Sequence, residues 1–271
     1  MNIFDSHAHY EDDAFANDRA AVIDSLASYG IKLVMDVASN MNTSMECINL
    51  AEKYDFMYAS VGIHPDSAGE ALKDENIARL GDLCALNKVK AVGEIGLDYH
   101  YDNSEETKRT QKRAFANQVE MAVRLNMPII IHSRDAVSDT LDIVKRFYSL
   151  NDVDPTDMHS TVNKIPGVVH CFSGSYETAV TYIRMGFMIG VGGVLTFKNA
   201  RRLTEVVEKI PMDNIVIETD CPYMAPEPNR GKRNFSGYLP DVVKKISEIK
   251  GLTEDEVSDR TFINARKLYR I

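Results

Sequence analysis

Short runs rich in Val, Ile and aromatic residues recur along the chain at residues 2–5, 32–37, 56–62, 89–95, 128–132, 167–170, 187–191 and 214–219. Each is brief and nearly continuously apolar, the pattern of a strand buried on both faces of a parallel sheet. Between them the period becomes helical. Phe115, Val119, Ala122 and Asn126 fall on one face of a helix starting near Ser104, beside a second row of Ala114, Gln118, Met121 and Leu125. Glu105 and Glu106 occupy its first turn, where the helix dipole favours anions. Leu239, Val242, Val243, Ile246 and Ile249 make another stripe, and Thr253 with Glu256 forms a capping box opening the last helix. Eight strands alternating with helices predict an α/β fold, the (β/α)8 TIM barrel, as one domain over residues 1–271. A doubly wound open sheet is the competing arrangement.

Composition narrows the class. The 271 residues are 44% hydrophobic and 26% charged, ordinary for a globular chain with a substantial core. No stretch is long and apolar enough for a membrane span, and the N-terminus lacks the basic start and apolar run of a secretory signal. Cys47, Cys84, Cys171 and Cys221 are scattered without metal-type or redox-type spacing, so the expectation is a reduced, cytoplasmic protein. The formal net charge of −9 argues against coating nucleic acid through a broad basic face. It leaves room for an enzyme gripping a few phosphates, because bound divalent metals would add positive charge locally.

The polar residues at strand ends carry the chemistry. His7 and His9 end the first strand, Glu94 the fourth, His132 the fifth, His170 the sixth and Asp220 the last. In a barrel these ends converge on the one face that carries active sites. Buried histidines and carboxylates need partners, and a metal supplies them. The plain alternative is a polar cluster that satisfies itself. Six ligands suit two ions better than one, with Glu94 as the natural bridge.

Motifs in order along nearly the whole chain extend this reading. They are Asp5-Ser6-His7-Ala8-His9, Gly62-Ile63-His64-Pro65, Val92-Gly93-Glu94-Ile95-Gly96-Leu97-Asp98-Tyr99, His132-Ser133-Arg134-Asp135-Ala136, His170-Cys171-Phe172-Ser173-Gly174, Thr219-Asp220-Cys221-Pro222-Tyr223 and Arg230-Gly231-Lys232-Arg233-Asn234. With these the chain resembles the TatD-family metal-dependent deoxyribonucleases of the amidohydrolase superfamily. The resemblance implies one metal held by His7, His9, Glu94 and Asp220 and a second held by Glu94, His132 and His170. It also implies 3′-to-5′ exonuclease action on single-stranded DNA. One departure is a polar segment, residues 149–165, longer than the motifs require and bearing on substrate length preference.

Other residues have two readings each. Asp220 is a ligand and also a base for the attacking water, or else a cap for the following turn. His64 either contacts the scissile phosphate or orients a ligand, or simply bonds backbone. Arg134 has the planar guanidinium suited to phosphate, and Arg230, Lys232 and Arg233 form a basic cluster that is either phosphate-binding or a solvated turn. Phe172 and Tyr223 stack bases of a single strand or pack in the core. Cys171 and Cys221 read as small buried residues, Asp5 shares the strand face of His7 and His9, and Gly192-Gly193 lets backbone approach closely.

The expected activity is therefore a phosphodiesterase working on single-stranded DNA or another phosphate-bearing substrate through two divalent cations, Mg²⁺, Mn²⁺ or Zn²⁺. The same site chemistry also serves an ester or amide such as aminoacyl-tRNA or a small lactone. A non-catalytic binding barrel would show a lost ligand, and none of the six is lost.

Overall fold

The computed structural model describes residues 1–148 and 165–271. Eight strands run β1 (Ile3–Ala8), β2 (Ile31–Asp36), β3 (Met57–Val61), β4 (Val89–Asp98), β5 (Ile129–Arg134), β6 (Gly167–Val169), β7 (Met188–Val191) and β8 (Ile215–Ile217). Each pairs in parallel with the next, so sheet order is chain order. The seam between β1 and β8 is drawn together by an Ala8–Cys221 bridge and by His9 N–H donating to Cys221 O at 2.9 Å. The result is a nearly closed (β/α)8 barrel.

The helices between strands are α1 (Arg19–Ser25), α2 (Met41–Lys53), α3 (Asp74–Leu83), α4 (Glu105–Leu125), α5 (Val137–Phe147), α6 (Tyr176–Arg184) and α7 (Arg201–Lys209), with α8 (Leu239–Lys250) and α9 (Glu254–Tyr269) after β8. No helix among the described residues is long and apolar enough to cross a membrane. Ser104 caps α4 by accepting the Thr107 N–H at 3.2 Å, and the Thr253–Glu256 capping box opens α9. Asn126 is a left-handed cap at φ 54° and so closes α4 instead of extending its buried face.

Phe4, Met35, Ala91, Ile130, Val168, Met188 and Val216 form one buried cluster with Ala265, Leu268 and Tyr269. Seven strands thus each send a side chain into the barrel's interior, and α9 plugs its N-terminal end. Tyr269 fixes the plug by donating its phenol hydrogen to Ser6 O at 2.8 Å. Residues on the opposite strand faces, including Ile3, Val34, Ala59, Val92, Ile131, Val169 and Ile189, pack into the larger cluster under the helices.

Register shifts interrupt the pairing of β1 with β2, β3 with β4 and β4 with β5, and two of them shape the C-terminal end. A register shift between Asp5 and Ala8 breaks the two-residue period of β1. Asp5 therefore does not share a face with His7 and His9; its carboxylate is taken up by Thr219 and Ser236. A second shift falls between Val92 and Ile95. There β4 continues past the expected end, pairing Asp98 with Arg134, so Glu94 lies within the strand rather than at its end. The segment 149–164, which contains most of the expected long loop, lies outside the described residues.

Candidate metal centre

The C-terminal ends of the strands bring all six predicted ligands together. His7 Nε2 and His9 Nε2 stand 3.1 Å apart. Glu94 Oε2 is 3.1 Å from the first and 3.7 Å from the second, and Asp220 Oδ1 is 3.6 and 3.4 Å from them. On its other side, Glu94 Oε1 lies 2.7 Å from His132 Nδ1 and 3.1 Å from His170 Nε2, which are themselves 3.1 Å apart. The two oxygens of one carboxylate thus face two different pairs of imidazoles.

Local structure explains these positions. A Cβ on Gly93 would come within 2.6 Å of Ile130 Cβ, so the residue before Glu94 has to be glycine for β4 to lie against β5. Asp220 sits at φ 55°, beyond β8, and its N–H donates to His7 O at 2.9 Å, bringing it back over the first strand. His9 is oriented from behind by Val37 O, 2.7 Å from its Nδ1, with Glu11 Oε1 at 3.4 Å. His132 donates through Nε2 to Asp98 Oδ2 at 3.1 Å. Two buried glutamines of α4 clamp the backbone at the site: Gln118 bonds both backbone groups of Ile63, next to His64, and Gln111 those of Asp98 at the end of β4.

The cluster's charges are strongly coupled. Burial opposes the charge of Glu94, but His170, His132 and His7 outweigh it and hold the carboxyl well below its usual range. Asp220 is likewise lowered, against burial, by His9, His170 and His7. Burial and the neighbouring His170 push His7 down to about 4. His132, despite burial, is pushed up to about 10 by Asp98 and Glu94, and His9 rises well above its usual value through Asp220 and Glu11.

This donor set fits divalent metal. Nitrogen and oxygen donors about 2.0–2.2 Å from one ion stand roughly 3.0–3.5 Å from each other, close to the spacings found on both sides of Glu94. Imidazole lone pairs converging at 3.1 Å in a buried site otherwise need protons between them.

The remaining predicted residues divide. His64 reaches the centre, with Nε2 3.5 Å from Glu94 Oε1 and Nδ1 accepting the Asp66 N–H at 3.2 Å. Arg134 lies against Tyr101, donating to its phenol oxygen at 3.4 Å. Arg230 covers the ring of Phe197, and Lys232 bonds Asn229 Oδ1 at 3.0 Å. Arg233 is already engaged: its fork grips both oxygens of Asp18 at 2.8 and 2.6 Å. Phe172 is 4% exposed and packs in the core, which leaves no face for a base, whereas Tyr223 is 55% exposed. Burial raises the thiols of Cys171 and Cys221, consistent with inert side chains. A Cβ on Gly193 would collide with Met224 O, so that glycine does allow close backbone approach.

Four carboxylates were not singled out from the sequence: Asp98, Glu11, Asp36 and Glu218. Glu218 is 1% exposed, accepts the Cys171 N–H and stands 3.9 Å from His170 Nδ1. A carboxylate inside an apolar strand, two residues before a predicted ligand, was the available signal. Glu11 and Asp36 converge with Cys47 behind His9, all three buried.

A family model described as TatD related DNase matches residues 4–270. The chain belongs to the TatD family of metal-dependent hydrolases. It is 39% identical to the "Uncharacterized metal-dependent hydrolase YabD" of Bacillus subtilis (strain 168), covering 99% of each chain. It is 30% identical to the "3′-5′ ssDNA/RNA exonuclease TatD" of Citrobacter rodentium (strain ICC168), over 99% of this chain and 98% of that one. Among solved structures, the YJJV TatD homolog of Escherichia coli K12 superposes with a TM-score of 0.86 at 28% identity, covering 99% of this chain and 98% of the other.

Proposed function

We propose that this TatD-family hydrolase removes nucleotides from the 3′ end of single-stranded DNA, through two divalent cations that share Glu94. The observation that carries the proposal is the division of the Glu94 oxygens, Oε2 toward His7, His9 and Asp220, and Oε1 toward His132 and His170. The first set would hold one cation and the second set the other. Cations bound there supply Lewis acidity at the phosphoryl oxygens and make water easier to ionise near neutral pH.

The chain's own residues do the rest. Asp220, kept ionised by its histidine neighbours, turns Oδ1 to His7 and His9 and leaves Oδ2 to take the proton of the attacking water. His64 accepts the Asp66 N–H at Nδ1, and in the tautomer that this bond selects Nε2 carries the hydrogen and can donate to a phosphate oxygen at the centre. Arg134, Arg230 and Lys232 supply local cations for further phosphates in a chain of net charge −9. Arg233, bound by Asp18, steadies the loop instead. The named activity of the Citrobacter rodentium relative supports both the nucleic-acid substrate and the direction.

The test is metal-stripped protein assayed on end-labelled single-stranded DNA, single-stranded RNA and a simple ester, with Mg²⁺, Mn²⁺ or Zn²⁺ restored in turn. Shortening of DNA from its 3′ end only after metal is restored is the expected result. Ester hydrolysis without nucleic-acid cleavage would overturn it. Glu94→Ala should lower activity by more than about a hundredfold with the fold intact by circular dichroism, and full activity in that variant would remove the shared-carboxylate mechanism.

A further inference from the structure

We propose that Tyr101 and Arg134 form a nucleotide subsite on the rim of the metal centre, the ring stacking on a base and the guanidinium pairing with the adjoining phosphate. This rests on the reading of the site as one that takes single-stranded nucleic acid.

Tyr101 lies in the turn after β4, three residues beyond the Asp98 that holds His132. At 78% exposure it is the most exposed large apolar or aromatic side chain among the described residues. A single exposed ring is unremarkable by itself, but this one is held in place at the active-site end of the barrel. Arg134 is the last residue of β5, two after His132. Strand alternation therefore directs its side chain to the same side of the wall as the imidazole. Its guanidinium carbon lies 5.2 Å from the Tyr101 ring centroid, and its Nη1 is 3.4 Å from the phenol oxygen. His100 meets the ring edge-on at 4.9 Å and is itself anchored 3.0 Å from Asp135 Oδ2.

The contrast with Arg233 decides the chemistry. Arg233 has its fork filled by Asp18, whereas Arg134 has no carboxylate ion pair among the described residues. A guanidinium set against an aromatic ring, with no carboxylate of the described residues on its fork and only the Tyr101 phenol oxygen near Nη1, offers donors to a phosphate. The ring supplies what an ion alone does not need, a flat apolar face. Nucleotides carry both complementary features, a base and a phosphate, while a small ester lacks the first. The cation–π contact keeps the pair assembled before substrate arrives.

The experiment measures binding of metal-loaded protein to a short, fluorescently labelled, phosphorothioate-linked oligodeoxynucleotide that resists cleavage. It is repeated with the same strand carrying abasic sugars at its 3′ end. Wild type should bind the abasic strand roughly ten- to hundredfold more weakly. Tyr101→Ala should erase that difference, and Tyr101→Phe should keep it. If Tyr101→Ala discriminates between the two strands as wild type does, or if wild type binds both alike or neither, the subsite is wrong. The nuclease reading is scored separately on ordinary DNA. Tight, base-dependent binding without cleavage sinks that reading and leaves the subsite standing; cleavage with unaltered discrimination in Tyr101→Ala does the reverse.

Discussion

Asp98 Oδ2 accepts a hydrogen bond from His132 Nε2 at 3.1 Å, which turns the opposite nitrogen, Nδ1, toward Glu94 Oε1 at 2.7 Å. The neighbouring imidazoles of His9 and His170 instead point Nε2 at the centre. The tautomer and direction of His132 are therefore set by one carboxylate outside the six predicted ligands.

Removing that carboxylate should loosen the centre without dismantling it. Asp98→Ala is expected to weaken divalent-metal affinity about 10- to 100-fold, the range for partners that orient a ligand from behind. Competition with a chromophoric chelator measures this directly. Unchanged affinity would show that His132 needs no such support.

The metal-free centre should bind cations at the expense of protons. His132, pushed up to about 10, and His9, also raised, are both charged at neutral pH, while Glu94 and Asp220 are held ionised. A ligand imidazole has to be neutral. Filling the site with Zn²⁺ near pH 7.5 should then release about two protons per chain, and affinity should rise steeply from pH 6 to 8. Calorimetry in buffers of different ionisation enthalpy counts the protons. A pH-independent affinity would contradict the charge state inferred for the two imidazoles.

The convergence of the six predicted ligands was legible because a barrel carries strand ends to one face, so position along the chain substitutes for distance. His7, Glu94, His132 and Asp220 could be grouped from order alone. Faces were less legible, because alternation fails where the register slips. The irregularity after Asp5 separates it from His7 and His9, and the continuation of β4 carries Asp98 beside His132. Long-range pairing left no local trace either: Arg233 and Asp18 are far apart in sequence, and nothing near Arg233 announces that its charge is spent. Gln111 and Gln118 occupy a helix face as apolar residues would, yet each satisfies backbone groups that position the site, at the end of β4 and beside His64.

Asp5 clasps the seam between β1 and β8. Its carboxylate accepts from Thr219 N–H at 3.0 Å, Thr219 Oγ1 at 2.6 Å and Ser236 Oγ at 2.7 Å, tying β1 to the chain just past β8 where strand pairing is thinnest. All three partners are buried, so Asp5→Ala strands several donors at once. The cost should be about 3 kcal/mol or more, a fall of roughly 1 M in the urea midpoint. Burial pushes the Asp5 carboxyl up to about 6, above its unfolded value of 3.8. The folded state thus holds this proton more tightly, and its contribution to stability falls as pH rises from about 4 through 6. The advantage of wild type over Asp5→Asn should shrink across that window and stay level above it. Urea midpoints of both proteins at pH 4, 5, 6 and 7.5 test the two claims together. An Asp5→Ala midpoint equal to wild type would mean that the seam is held by the Ala8–Cys221 pairing and the packing of α9, not by this clasp.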